Sequence, residues 1–568
     1  MAIINRQKKR MGDLLVGAGI LTEEQLMKAL ELQKKKKQKL GILLVEEGFV
    51  DEKQIAYTLH KQMGLDIVEL SKYNVSPDIL KLVPDSTILK KSCMIPFEFD
   101  PFDSQYLRVA MSDPLDIISI DDLQVITGMM VSPVIATSSD IMTAIDKYYG
   151  NAENQAVADL YNRERGGAEE EEELIDETVE NAPIVILVKR IIEQGVHRRA
   201  SDIHIEPMES RIRVRYRVDG VMQEAGSYQV NMLQALISRI KIIGGMDISE
   251  RRKPQDGRIT SIVDRVEYDI RVSILPTVFG EKVVMRLTSK QALSRDKKLL
   301  GFSQEELNKF DKMFSNSNGI ILVTGPTGSG KSTTLYTALS ELNSEHVNIV
   351  TVEDPVEANI QGINQVQVNV KADMTFASAL RSILRQDPDI IMIGEIRDEE
   401  TANIAVTASI TGHLVVSTLH TNSAAASITR LADMGLDNYL IADSMVGVIA
   451  QRLARRLCVC KKPKQANEFE KRLIRVPENE NVTIYEPCGC AQCGNTGYRG
   501  RIGVYEMMTI TKKIKNVISA KGTTEDIEKM AVHDGMRTLH DSAARLVREG
   551  ITSMGELRRI VYSNDEDM

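Results

Sequence analysis

Tryptophan is absent from this chain, and aromatic residues together make up only 4% of it. Stacking platforms for single-stranded nucleic acid need several such rings, so none is evident. Positive charge is not in excess either: 71 Lys and Arg stand against 80 Asp and Glu, a net charge of −9. That balance disfavours a nucleic-acid translocase, which needs a basic surface. Long apolar runs are also missing. Ile184–Val188 and Ile320–Val323 fall far short of the ~18 residues of a membrane span. Met1–Arg6 lacks the apolar core of a secretory signal, so a soluble cytoplasmic protein is expected. Cysteine is scarce, six in 568 residues, yet five of the six lie between Cys458 and Cys493. In a reducing compartment such crowding suggests a metal ion rather than disulfides. The length implies roughly three or four domains.

What is present centres on Gly325-Pro326-Thr327-Gly328-Ser329-Gly330-Lys331-Ser332. The apolar run Gly319–Thr324 precedes it and a helix-like segment beginning at Thr333 follows. A G-x-x-x-x-G-K-S motif between a strand and a helix is a phosphate loop. Its glycines let backbone N–H groups turn inward as an anion nest, and the helix start adds its dipole. Lys331 supplies charge to the β- and γ-phosphates, and the Ser332 hydroxyl can hold Mg²⁺. Residues 325–333 are therefore expected to bind ATP.

An internal repeat opens the chain. Arg10–Gln33 and Lys39–Gln62 share a pattern at an offset of 29 positions, with apolar residues at helical spacing broken by glycine. Two short helices joined by a turn are expected in each copy. Residues 65–150 read as a small α/β module with a docking or regulatory role, and Asn151–Glu180, holding Glu169–Glu173, as a flexible acidic linker. Pro183–Gln194 is an apolar helix. In Arg211–Val218, alternation places Arg211, Arg213, Arg215 and Arg217 on one strand face, and Asp219-Gly220 turns the chain back. Those arginines meet either an external anion or the carboxylates of Asp202 and Glu206. Arg271 and Arg286 likewise occupy the polar faces of two strands. They lie either in solvent or where they could reach a γ-phosphate held by another domain or subunit.

Beyond the phosphate loop, predicted strands end in Glu353-Asp354-Pro355 and in Gly394-Glu395. Strand-end carboxylates beside a phosphate loop lie where open parallel sheets bind ligands, and one of them can deprotonate a water. Glu395 is the better candidate. A third strand runs from His413 to His420. Near the end, Cys458-Val459-Cys460 and Cys488-Gly489-Cys490-Ala491-Gln492-Cys493 offer five thiols for a tetrahedral zinc site, which needs four. The four selected are Cys458, Cys460, Cys490 and Cys493, with reduced inert thiols as the alternative.

Thr351–Glu357, Leu384–Asp398 and Thr411–Asn422 resemble the Asp box, the secretion-ATPase signature and the His box of the extension ATPases of type IV pili. These belong to the type II secretion ATPase superfamily. The resemblance implies an α/β multidomain protein with a RecA-like P-loop NTPase core, a PAS-like α+β middle domain and a helical/α+β N-terminal regulatory domain. The implied boundaries are 1–150, a linker 151–180, 181–290, 291–510 and C-terminal helices 511–568. It implies a homohexameric ATPase that drives pilus assembly, docked on an inner-membrane platform protein at the cytoplasmic face, with type II secretion as the alternative. Glu395 would be catalytic, with Glu353 assisting near Mg²⁺. Arg271, Arg286, Arg381 and Arg385 would contact phosphates, and His413 and His420 would sense the nucleotide state. The N-terminal repeats resemble cyclic-di-GMP-binding motifs, whose ligand contacts would be Arg10, Gln33, Lys39 and Gln62. Met11 and Lys39 depart from the usual leucine and arginine there. A retraction motor would usually lack both the long N-terminal region and the cysteines.

Overall fold

The computed structural model describes residues 11–36, 40–46, 49–73, 75–101, 103, 105–165, 182–264, 266–289, 296–490 and 493–562. The chain forms two compact units, Met1–Ile259 with Ile270–Leu287, and Thr260–Asp269 with Thr288–Met568.

In the first unit the repeat becomes two helical hairpins, Met11–Gly17 with Glu23–Lys36 and Leu40–Glu46 with Glu52–Met63. Each second helix starts with a reciprocal cap. Thr22 and Gln25 exchange side-chain to backbone bonds of 2.9 and 3.2 Å, as do Asp51 and Gln54 at 2.8 and 2.7 Å. Such boxes satisfy backbone donors that the first turn leaves free. A Cβ added at Gly12 would lie 2.8 Å from Leu26, and one at the equivalent Gly41 would lie 3.5 Å from Ile55. At Gly12 the missing side chain lets the short helix lie against the long one, whereas at Gly41 a Cβ would make only an ordinary contact. Leu15, Leu21, Leu44 and Val50 form part of the shared core. Arg10 and Lys39, assigned above to ligand binding, lie outside the described residues.

A three-stranded sheet follows, ordered β1 (Met94–Phe99), β2 (Tyr106–Met111), β3 (Met130–Ile135), with β1/β2 antiparallel and β2/β3 parallel. The expected linker is only partly one. The helix Ser138–Arg165 runs through position 150 without a break. Asn154, Ala158 and Tyr161 are buried at helical spacing, and Asn154 Nδ2 donates to Gln194 Oε1 at 3.2 Å. That buried stripe anchors residues 151–165, which composition alone had assigned to the flexible stretch. The remaining linker residues, 166–180, are not described.

The middle domain is a six-stranded sheet ordered β6-β5-β4-β9-β8-β7. Its strands are β4 (Ala200–Pro207), β5 (Arg211–Val218), β6 (Val221–Gln229), β7 (Gln255–Val263), β8 (Val266–Thr277) and β9 (Gly280–Ser289). Asp219 and Gly220, both at positive φ, form the β5–β6 turn. The arginine face of β5 finds its counter-charges inside the domain. Glu206 accepts from Arg215 Nε and Nη2 at 2.8 and 2.7 Å and from Arg213 Nε at 3.1 Å, and Lys282 lies 3.1 Å away. Burial opposes ionisation of Glu206, but hydrogen bonds from Arg215, Lys282 and Arg213 outweigh it and hold its pKa at about 2. Arg217 faces Asp202 at 3.6 Å, and Arg211 faces Glu224 at 3.3 Å. An external anion is not required to balance this face.

The second unit is built on a seven-stranded sheet, β12-β11-β13-β14-β10-β15-β18. These are β10 (Gly319–Thr324), β11 (Ile349–Glu353), β12 (Asn364–Gln367), β13 (Ile390–Ile393), β14 (Leu414–Leu419), β15 (Met445–Leu457) and β18 (Tyr498–Thr509). The pairs among β10–β15 are parallel, and only β18 runs antiparallel, against β15. Every residue of β10 and β14 is buried, as expected of parallel strands covered by helices on both faces. A small antiparallel pair, β16 (Lys462–Gln465) with β17 (Thr483–Glu486), adjoins the cysteine segment. Four helices between Lys512 and Tyr562 close the unit. Among the described residues, no helix is long and apolar enough to cross a membrane.

Candidate functional site

The phosphate loop leaves β10 at the C-terminal edge of the parallel strands and enters the helix Lys331–Leu342. Two of its glycines are sterically demanded. Gly330 has φ 90°, and a Cβ there would lie 2.8 Å from Gln451 Nε2. A Cβ at Gly325 would collide with the Gln451 carbonyl oxygen. Lys331 Nζ donates to the carbonyls of Gly325 at 2.8 Å and Pro326 at 3.2 Å, so the loop curls around the ammonium. Burial lowers the Lys331 pKa to about 8, with Arg452 adding to the effect and Glu395 opposing it. Ser332 and Thr333 are half-buried on the first turn of the helix, while Ser329 is buried. The Ser329 hydroxyl has no hydrogen-bond partner among the described residues.

The two strand-end carboxylates differ in kind. Glu353, 2% exposed, is enclosed by donors: Tyr336 OH to Oε2, Thr351 Oγ1 to Oε1 at 2.6 Å, and Gln365 Nε2 to Oε1 at 3.1 Å. Burial, then the adjoining carboxylate, push the Tyr336 hydroxyl's pKa up, so it stays a donor. Glu395 is less enclosed. It forms an ion pair with Arg397 and faces His420 Nε2 at 3.5 Å. Burial first, and then the charge of Lys331, lower the pKa of His420 against the pull of Glu395. At neutral pH His420 is an uncharged imidazole beside a carboxylate. The loop and these groups are held together at the strand ends. Thr421 N donates to Thr324 Oγ1 at 2.9 Å, which ties the end of β14 to the end of β10.

Other expected residues are not brought to the loop. His413 precedes β14, and its carbonyl accepts from Gly319 N at 3.1 Å, at the start of β10. A six-residue strand rises about 20 Å, so His413 sits at the far edge of the sheet from His420. Its Nδ1 lies 2.9 Å from Ala408 O. The shared box holds one histidine at the site and one away from it, because six strand residues separate them. Arg381 forms an ion pair with Glu400, and Arg385 Nη1 donates to Arg381 O at 2.9 Å. Neither contacts the loop in this chain. Arg271 and Arg286 belong to the first unit, where Arg286 Nε donates to Asp202 Oδ1 at 3.1 Å. Gln33 and Gln62 are half-exposed at matching positions of the two long repeat helices.

Cys458, Cys460, Cys490 and Cys493 converge, with all sulfurs within 4.8 Å of one another. Cys458–Cys490 is 3.7 Å, Cys490–Cys493 3.8 Å and Cys460–Cys493 3.9 Å. Zinc with Zn–S bonds of about 2.3 Å holds tetrahedral thiolates about 3.8 Å apart, so the donor set fits. Cys488 is exposed and outside the group, and the shorter first spacing does not prevent closure. Burial raises the Cys493 thiol, but N–H donors from Cys490 and Gly497 outweigh it and bring its pKa to about 7. Burial pushes Cys460 up to about 12.

Sequence reasoning missed Tyr336, Gln365, Arg397, Gln451 and Arg452. Arg397 lies in the Leu384–Asp398 signature, two positions after Glu395 and four beyond the strand Ile390–Ile393; the others carried no local signal.

Residues 177–559 match the family model described as type II/IV secretion system protein, and residues 63–155 match the MshEN domain. The MshEN match covers the three-stranded module rather than the repeats before it. The chain is 44% identical over 560 residues to the type IV pilus assembly ATPase PilB of Myxococcus xanthus, covering 96% of this chain and 98% of that protein. It is 40% identical over 561 residues to the type II secretion system protein E of Xanthomonas campestris, covering 97% and 98%. The X-ray structure of the Legionella pneumophila ATPase DotB shares the fold, with TM-score 0.50 at 21% identity, covering 66% of this chain and 96% of that one. With a phosphate loop, a strand-end glutamate facing it and likeness along nearly the whole length, this chain belongs to the type II/IV secretion system protein family, alongside the pilus-assembly and secretion ATPases.

Proposed function

We infer that this chain is a motor ATPase that couples ATP hydrolysis to type IV pilus assembly. The observation that carries the reading is Glu395, set beside His420 and within the electrostatic reach of Lys331 at the mouth of a complete phosphate loop. A carboxylate there accepts a proton from the attacking water, and Lys331 neutralises charge on the phosphates. Glu353, bound on both oxygens, positions rather than deprotonates. Mg²⁺, held by the Ser332 hydroxyl, would supply charge to the β- and γ-phosphates. Identity of 44% to the PilB of Myxococcus xanthus, against 40% to the secretion protein over the same span, supports pilus assembly over secretion.

Family likeness supports the remaining assignments. The motor is a homohexamer docked on an inner-membrane platform protein at the cytoplasmic face. Arg271, Arg286, Arg381 and Arg385 contact phosphates, and His420 senses the nucleotide state. Cyclic-di-GMP binds the repeats through Arg10, Gln33, Lys39 and Gln62. Cys458, Cys460, Cys490 and Cys493 hold a structural zinc. ATP turnover per chain, followed against concentration with the oligomeric state, tests the motor. Turnover should rise as hexamers form, and full turnover by isolated monomers would overturn the reading. Calorimetric titration with cyclic-di-GMP tests the repeats, where absence of heat would leave packing as their role.

A further inference from the structure

Gln451 sits on β15, next to the strand that launches the phosphate loop, and is only 2% exposed. Its side-chain amide is used at both ends. Nε2 donates to Ser329 O at 2.9 Å, and Oε1 accepts from Thr334 Oγ1 at 2.8 Å. One side chain thereby spans the loop and the first turn of the helix that follows it. The fit is close. A Cβ at Gly330 would lie 2.8 Å from the Gln451 amide nitrogen, and one at Gly325 would collide with the Gln451 carbonyl oxygen.

Peptide planarity gives these bonds a consequence for ligands. In a trans peptide the C=O and the following N–H point in opposite directions. Pinning Ser329 O to the Gln451 amide therefore turns the Gly330 N–H away from β15, towards the concave side of the loop. A nest that binds phosphate depends on such N–H groups being aimed before the ligand arrives. The neighbouring side chain points the other way along the strand and holds the opposite wall. Arg452, 7% exposed, donates through Nη2 to Asn422 O at 3.2 Å and Asn422 Oδ1 at 3.0 Å. Asn422 follows the His420–Thr421 segment that faces Glu395. Adjacent residues of β15 thus grip the phosphate loop on one face and the histidine segment on the other.

We propose that Gln451 is a positioning residue for nucleotide binding, whose amide holds the Ser329–Gly330 peptide with its N–H turned into the phosphate nest. The proposal rests on the nucleotide-hydrolysing reading of the same loop. A buried glutamine that merely satisfied its own polar atoms would matter for stability alone, and the two roles are separable.

The test uses the full chain with Gln451→Met, which keeps the volume and removes both bonds, and Gln451→Glu, which keeps the acceptor for Thr334 but opposes the Ser329 carbonyl with a carboxylate. ADP affinity is measured by fluorescence titration, ATP turnover by phosphate release, and Tm with and without ADP. Gln451→Met should weaken ADP binding and raise KM for ATP by roughly 10- to 100-fold, with a smaller change in kcat. Gln451→Glu should weaken ADP binding at pH 7 by at least as much, because an ionised carboxylate cannot donate to Ser329 O. A lowered Tm with ADP affinity and KM within twofold of the unsubstituted chain would overturn the proposal. So would a Gln451→Glu chain that binds ADP within twofold of the unsubstituted chain. An unsubstituted chain that binds ADP tightly but turns over no ATP would overturn the hydrolytic reading instead, leaving the affinity comparison intact.

Discussion

Glu353→Gln and Glu395→Gln are the same chemical change at two strand ends, yet the structure makes their outcomes different. Glu353 receives three donors, from Tyr336, Thr351 and Gln365, in a site 2% exposed. Turning one oxygen into NH₂ sets donor against donor and leaves buried groups unsatisfied, at a cost of about 1–3 kcal/mol. Glu395 is half-buried, with a side chain 13% exposed, and its ionic partner Arg397 is 65% exposed. A pair open to solvent on one side contributes about 1 kcal/mol. Removing the Glu395 charge should therefore barely change stability, while removing the proton acceptor should cost about 10²–10⁴ in turnover. It should also lower the Lys331 pKa further, since Glu395 is the group that raises it. The assay pairs phosphate release at pH 7 with thermal unfolding and ADP titration. Glu395→Gln should bind ADP, keep its Tm and lose turnover, whereas Glu353→Gln should lose Tm as well. Retention of more than a tenth of turnover by Glu395→Gln, or an unchanged Tm in Glu353→Gln, would refute the division of roles.

Lys331 supplies a pH test. Burial depresses its pKa to about 8, so its charge, and ADP affinity with it, should fall as pH rises through about 8. Affinity flat from pH 7 to 9.5 would contradict this. At the cysteine site, Cys493→Ser should abolish bound zinc in a colorimetric release assay and lower Tm, while Cys488→Ser should retain the metal. Equal zinc content in both variants would remove the four-sulfur assignment.

Much of the engine is legible in the amino-acid order. The phosphate loop, its strand and its helix were legible because spacing, glycine content and apolar runs are local properties. The 29-residue repeat predicted paired helices, and its capping residues recur at equivalent positions for that reason. The linker shows where composition misleads. Polar residues dominate 151–165, but Asn154, Ala158 and Tyr161 sit on one buried helical stripe, and burial of that stripe outweighs overall polarity.

By itself the amino-acid order determined the nucleotide loop, the duplicated hairpins, the alternating arginine strand and the cysteine clusters. All of these are patterns over a few tens of residues. Only the tertiary structure decided which partners those groups meet. It placed Asp202 and Glu206 beneath the arginines, surrounded Glu353 with donors and left Glu395 facing His420. It set His413 at the far edge of the sheet and excluded Cys488 from the sulfur cluster. It also brought Gln451, more than a hundred positions away, against the phosphate loop. Such pairings depend on parallel strand order and register, which bring distant segments to one sheet edge and which no local spacing encodes.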